Sequence, residues 1–117
     1  MIDIPDAYWH ENRKAKKQHI CCECLGIIEI GERYDFYRLI FDNDPYNYKV
    51  CENCNLLRDK IDEGFPYEDH CLFGELGYFV RECNERVFAI EFLDIIKKRK
   101  SKRQTDWLER MINNNED

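Results

Sequence analysis

The chain has 117 residues, with 24 acids against 18 bases for a net charge of −6. Such a length carries one ordinary core and no second, and no run of about 18 apolar residues is present to cross a membrane. Seven cysteines in so short a chain call for disulfides or a metal.

Charge is uneven along the chain. Residues 13–17 and 97–103 hold ten of the eighteen bases and no acid, so the remainder is strongly acidic. An acidic body repels phosphate, and any nucleic-acid contact is expected to use those two runs. Residues 1–17 form a basic lead-in, expected to be a solvated, partly mobile terminus rather than a basic arm, in which Tyr8 and Trp9 can pack on the domain and residues 12–17 can form a short helix. The first residues lack the basic flank and apolar core of a secretion signal, so a cytoplasmic setting is expected and disulfides are disfavoured.

Residues 18–83 are organised around a metal site. Cys21 and Cys24 form one Cys-x-x-Cys pair, Cys51 and Cys54 a second, and together they supply four thiolates to one tetrahedral Zn²⁺. Cys22 competes with Cys21, but its spacing to Cys24 is one residue short of the usual loop. Gly26 fits a sharp turn just past the first pair. His19, two residues before Cys21, could be a substitute ligand or a donor to a thiolate, but with four cysteines available a surface histidine is the favoured reading.

Ile27, Ile28 and Ile30 precede Gly31, and the β-branched and aromatic residues 34–41 read as a strand. Residues 42–45 have turn chemistry, and 46–50 return as a further strand. From Glu52 to about Asp62 a helix places Leu57 and Ile61 beside Cys54 on one face. Its first turn holds the second ligand pair, where the helix dipole favours thiolates. The expected fold class is α+β: a treble-clef zinc finger of knuckle, β-hairpin and helix, followed by two C-terminal helices.

Beyond a Gly- and Pro-containing linker, Leu72, Leu76, Phe79, Val80 and Cys83 recur at helical spacing, giving a helix over residues 70–83 that Asp69 could cap. Gly74 and Gly77 within it would mark close packing. Cys71 and Cys83 lie twelve residues apart on that helix, about 18 Å at 1.5 Å per residue, and cannot share a metal. Residues 84–117 form the last unit. A helix capped by Asn84 is expected to run unbroken through Val87, Phe88, Ile90, Phe92, Leu93, Ile95 and Ile96 to Ile112. Its first half is apolar on most sides and needs cover from this chain or from a second copy, which makes a homodimer one expectation. Trp107, Leu108, Met111 and Ile112 form an apolar patch that either projects or folds back over the core.

The runs Cys21-Cys22-Glu23-Cys24, Gly31-Glu32-Arg33-Tyr34, Cys51-Glu52-Asn53-Cys54 and Phe73-Gly74-Glu75-Leu76 resemble a group of small phage and prophage zinc proteins. The resemblance spans residues 18–83. It implies a treble-clef module, the cytoplasm of an infected bacterium, and a host or phage macromolecule as target. The clef is also similar to the scaffold of HNH-type nucleases, which need histidines on the hairpin and helix. No histidine lies between His19 and His70, so no enzyme is expected, and a degenerate HNH-like nuclease is kept only as a second alternative.

Two binding readings remain. In the preferred one, an acidic zinc domain binds and modulates a host or phage protein, such as a nucleic-acid-handling or defence enzyme, through acids that include Glu29, Glu32, Asp35, Asp42 and Asp44. In the alternative, Lys97, Lys98, Arg99, Lys100, Lys102 and Arg103 grip a phosphate backbone with Trp107 available for stacking.

Overall fold

The computed structural model of the chain describes residues 6–63, 73–83 and 85–114. Strands β1 (Ala7–Lys14), β4 (Arg33–Phe41) and β5 (Asp44–Cys51) form an antiparallel sheet in the order β1-β4-β5. A short ribbon, β2 (His19–Ile20) with β3 (Ile27–Ile28), lies between β1 and β4 in sequence.

Residues 7–14 form a strand, not the expected mobile lead-in or helix over residues 12–17, and Tyr8 and Trp9 are largely exposed rather than packed on the domain. β1 pairs with β4 along its whole length, from Ala7 opposite Ile40 to Lys14 opposite Arg33. Alternation explains the outcome: His10 stacks on Tyr37 at one face, while the Arg13 guanidinium sits 3.8 Å over the Phe36 ring at the other. These are cross-strand contacts that a helix would forgo.

β4 and β5 are joined by Asp42 and Asn43, at φ 49° and 70°. Two left-handed residues suit the twist of a two-residue hairpin turn, and Asp and Asn tolerate that region best after glycine. Gly31, at φ 92°, turns the chain from β3 into β4. α1 (Glu52–Glu63) follows β5 directly and buries Cys54, Leu57 and Ile61, the face expected from their spacing. It packs on the sheet through Asn55, which accepts a bond from the Tyr37 hydroxyl and donates to Asp35 Oδ2, both at 3.0 Å.

α2 (Leu76–Cys83) starts later than residue 70. Gly74 takes φ 84°, which a continuing helix cannot contain, and the Leu76 N–H donates to Glu23 Oε1 at 3.1 Å. The expected cap Asp69, with His70, Cys71 and Leu72, lies outside the described residues, as does Asn84.

The expected unbroken helix beyond residue 84 is two helices, α3 (Arg86–Lys98) and α4 (Asp106–Asn114). The break is a Schellman stop built without glycine. Lys100 adopts φ 56°, its N–H donates to Lys97 O at 3.2 Å, and the Ser101 N–H donates to Ile96 O at 3.0 Å. Among the described residues three helices, rather than two, therefore follow α1.

α4 folds back over the core. Leu108 is fully buried, and Trp107 lies between the Phe92 ring, centroids 6.4 Å apart, and the Arg81 guanidinium, 4.6 Å from its own centroid. With α1, α2 and α4 around it, α3 buries Ala89, Phe92, Leu93, Ile95 and Ile96 within this chain, leaving Val87 and Ile90 exposed. No helix among the described residues is long and apolar enough to cross a membrane.

Candidate metal centre

Cys21 follows β2, and the chain returns to β3 through a tight loop: the Leu25 N–H donates to Cys21 O at 3.0 Å and the Cys21 N–H to Gly26 O at 2.9 Å. The left-handed residue is Leu25, at φ 58°, not Gly26. Gly26 serves a different purpose, since a Cβ there would stand 2.4 Å from Arg99 Cβ and 3.1 Å from Cys24 Sγ. Cys51 closes β5 and Cys54 sits in the first turn of α1.

These elements bring the Sγ atoms of Cys21, Cys24, Cys51 and Cys54 within 4.8 Å of one another, and all four residues are fully buried. Four sulfurs at about 2.3 Å from a tetrahedral centre lie about 3.8 Å apart, so the cluster fits a metal ion. Backbone amides turn toward the sulfurs. The N–H groups of Glu23 and Cys51 donate to Cys21 Sγ, that of Cys54 to Cys51 Sγ, each at 3.4 Å, and that of Gly26 to Cys24 Sγ at 3.3 Å. Such donors stabilise thiolate and fix its orientation.

Hydrogen bonds from Cys24, Cys51 and Cys54 hold Cys21 far below the usual thiol range, while the same contacts drive Cys51 and Cys54 upward. Four sulfurs this close cannot all ionise without a cation between them. Cys22 stays outside the cluster, half-buried, its thiol pushed up to about 12 by burial and by the neighbouring Glu23 charge. His19 is not a ligand either. Its ring packs against Tyr34 at 5.0 Å, and its Nδ1 lies 3.2 Å from Lys49 Nζ.

Outside the sulfurs, two polar clamps hold the site. Arg99 is buried where the knuckle, the hairpin and α1 meet. Its guanidinium donates to Glu32 Oε2 at 3.0 Å, to Asn53 Oδ1 at 2.8 Å and to Ile27 O at 3.1 Å. Burial opposes its charge, but the Glu32 ion pair and the negative field of Cys51 and Cys24 keep it above the ordinary guanidinium value. The Ile27 N–H returns a bond to Arg99 O at 2.9 Å, and Ser101 Oγ donates to Cys24 O. The second clamp is Glu23, fully within the interior, paired with Arg58 of α1. Burial raises the Glu23 carboxyl, and the Arg58 charge works against that.

The basic run of residues 97–103 is thus divided. Lys97, Lys98, Lys100 and Lys102 are exposed, whereas Arg99 faces the metal centre, and half-buried Arg103 lies 5.7 Å from the Phe92 centroid and close against Gly77. Trp107 is packed rather than free. The acids expected to form one surface are divided too: Asp35 is buried and bonded to His10 and Asn55, and Glu32 is engaged by Arg99. No local signal marked Arg99, Ser101, Glu23 or Arg58, because each finds its partner 35 or more residues away.

Compared with known proteins, the chain matches no family model, no curated protein and no solved structure.

Proposed function

We propose that the chain is a zinc-stapled binding module of the treble-clef type, in which the metal is structural and the surface does the work. The observation that carries this reading is the closure of the site: four sulfurs, all from fully buried residues, leave no coordination position for substrate or water. Zinc suits a tetrahedral four-thiolate set; iron is the other metal that takes it, and an iron tetrathiolate is coloured. The treble-clef assignment is supported by order. A two-stranded knuckle with the first pair is followed by the β4–β5 hairpin and by a helix whose first turn holds the last ligand. The four thiolates with their amide donors would hold the ion, which supplies folding free energy rather than chemistry.

An interaction role, rather than catalysis, is supported by the same closure and by the absence of a histidine from the cluster among the described residues. The resemblance to small phage and prophage zinc proteins supports a setting in the cytoplasm of an infected bacterium and a host or phage macromolecule as partner.

Metal analysis of protein purified without chelator tests the reading. About one zinc per chain in a colourless protein is expected, together with no cleavage of DNA or RNA in Mg²⁺ or Mn²⁺. A folded, metal-free chain would overturn the structural-zinc assignment, and divalent-dependent cleavage that survives repurification would overturn the non-catalytic one.

A further inference from the structure

The sheet has two unlike faces. On one, Tyr37 and Tyr48 pack against Phe73 and α1. On the other, the register sets Trp9 opposite Arg38, Glu11 opposite Phe36, and Phe36 opposite Lys49. Side-chain contacts agree, since the Trp9 indole N–H reaches Glu11 at 3.2 Å and Arg13 lies over Phe36. Trp9 is 58% exposed on this face, and Arg38 is exposed beside it.

At the Lys14–Arg33 end of the sheet this face opens into a concavity of about 670 Å³ walled by Arg13, Lys14, Lys16, Lys17 and Arg33, with Glu11 its one acid. Lys14 and Arg33 reach it from the other face, Arg33 donating to Asn12 Oδ1 at 3.1 Å. Tyr34 and His19 are also part of its lining. Glu11 is occupied by Arg13 and Trp9. Together, the sheet face and concavity gather seven of the eighteen bases and one of the twenty-four acids, so the rest of the chain carries acids in excess by twelve. On a chain that otherwise repels phosphate, this is a local reversal of sign. It combines cations along a groove with an exposed flat ring, the chemistry that holds a phosphodiester backbone and stacks an unpaired base.

We infer that this face, from Trp9 and Arg38 to Lys16 and Lys17, binds single-stranded nucleic acid. Lys16, Lys17 and Arg33 contact phosphates, and Trp9 stacks on a base. The inference rests on the reading of the chain as a binding module and names the class of its partner. Duplex fits less well, because its bases offer no free face to Trp9. The exposed lysines of residues 97–102 are a separate group and are not required.

Fluorescence anisotropy with labelled oligothymidylate and oligouridylate of about twenty nucleotides, and with a duplex of equal length, tests this on the full zinc-loaded chain. Micromolar binding at low salt is expected for the single strands, weakening steeply as salt rises. Lys16→Glu with Lys17→Glu should weaken it about tenfold or more and lower the log–log salt slope by about 1.4, two phosphates' worth. Trp9→Ala should weaken it at least about fivefold, and Trp9→Phe should restore most of the loss. Lys97→Glu with Lys98→Glu is the charge-matched control and should leave binding within about twofold, apart from the general effect of net charge. The two oligomers distinguish DNA from RNA as the natural strand.

Three results would overturn the inference. The control pair could weaken binding as much as the Lys16 and Lys17 pair. Duplex could bind as tightly as single strand with Trp9→Ala silent, meaning simple polyanion attraction. Or the zinc-loaded chain could bind neither oligomer while binding phosphatidylserine vesicles or an acidic protein. Zinc content measured on the same samples separates this failure from failure of the module reading.

Discussion

The Cβ of Arg99 stands 2.4 Å from where a side chain on Gly26 would begin. The glycine lets the end of α3 close on the metal loop, and the guanidinium reaches Glu32 and Asn53 from there. Gly26→Ala is therefore expected to lower stability by about 1–3 kcal/mol through overpacking. Arg99→Ala should not relieve it, since that variant keeps its own Cβ. Thermal melts of both single variants and the double variant check this, and a neutral Gly26→Ala would refute the contact.

Removing the metal should unfold the chain. A strong chelator is expected to abolish the cooperative thermal transition, and zinc to restore it, because structural zinc contributes about 10 kcal/mol or more to such small folds. Cys21→Ser and Cys51→Ser should lower zinc retention severely, while Cys22→Ser, outside the cluster, should retain one equivalent.

Lys100 holds φ 56° at the stop of α3. Lys100→Gly is expected to stabilise the chain by roughly 1 kcal/mol, since glycine takes the left-handed region without penalty. Lys100→Val should do the reverse. Urea midpoints give both signs, and a destabilised Lys100→Gly would show that the lysine side chain contributes something the backbone does not reveal.

The pairing of Glu23 with Arg58 is buried, and losing one partner strands the other. Arg58→Met should cost about 3 kcal/mol or more, with zinc still bound at saturating metal. A loss under about 1 kcal/mol would show the pair to be solvated.

Tyr37 is pushed up to about 12, first by burial and then by the Asp35 charge. The unfolded phenol ionises near 10, so between those values the folded chain holds the extra proton. Stability is fully present below about pH 10 and falls as pH rises toward 12. Urea midpoints measured from about pH 9 to 11 should decline more steeply in the parent than in Tyr37→Phe. Equal slopes would place the tyrosine in water.

What the sequence revealed was local. The clustering cysteine pairs, the β4–β5 hairpin and α1 could all be read because spacing within about ten residues carries them, and it is Cys21 rather than Cys22 that joins the cluster, as that spacing favours. β1 was missed because both of its faces carry polar or charged residues, which hides the alternation; only its pairing with β4, across a metal loop, makes it a strand. The end of α3 was missed because neither Gly nor Pro marks it. Arg99 was invisible within a basic run, where Lys98 and Lys100 look the same and only tertiary partners tell it apart. Long-range closure thus accounts for most of what was not legible.

The clamp by residues 99–101 also bears on the order of events during synthesis. All four sulfurs leave the ribosome well before Arg99 and Ser101, so metal capture can precede closure of the knuckle, and the late segment then fastens a loop already loaded. Those bonds stand over the loop that carries Cys21 and Cys24, so opening them is the expected first step in release of a bound ion. For the proposed zinc, exchange with a competing chelator is therefore expected to follow local undocking of the α3 terminus, about 45 residues downstream of the nearest cysteine of the cluster.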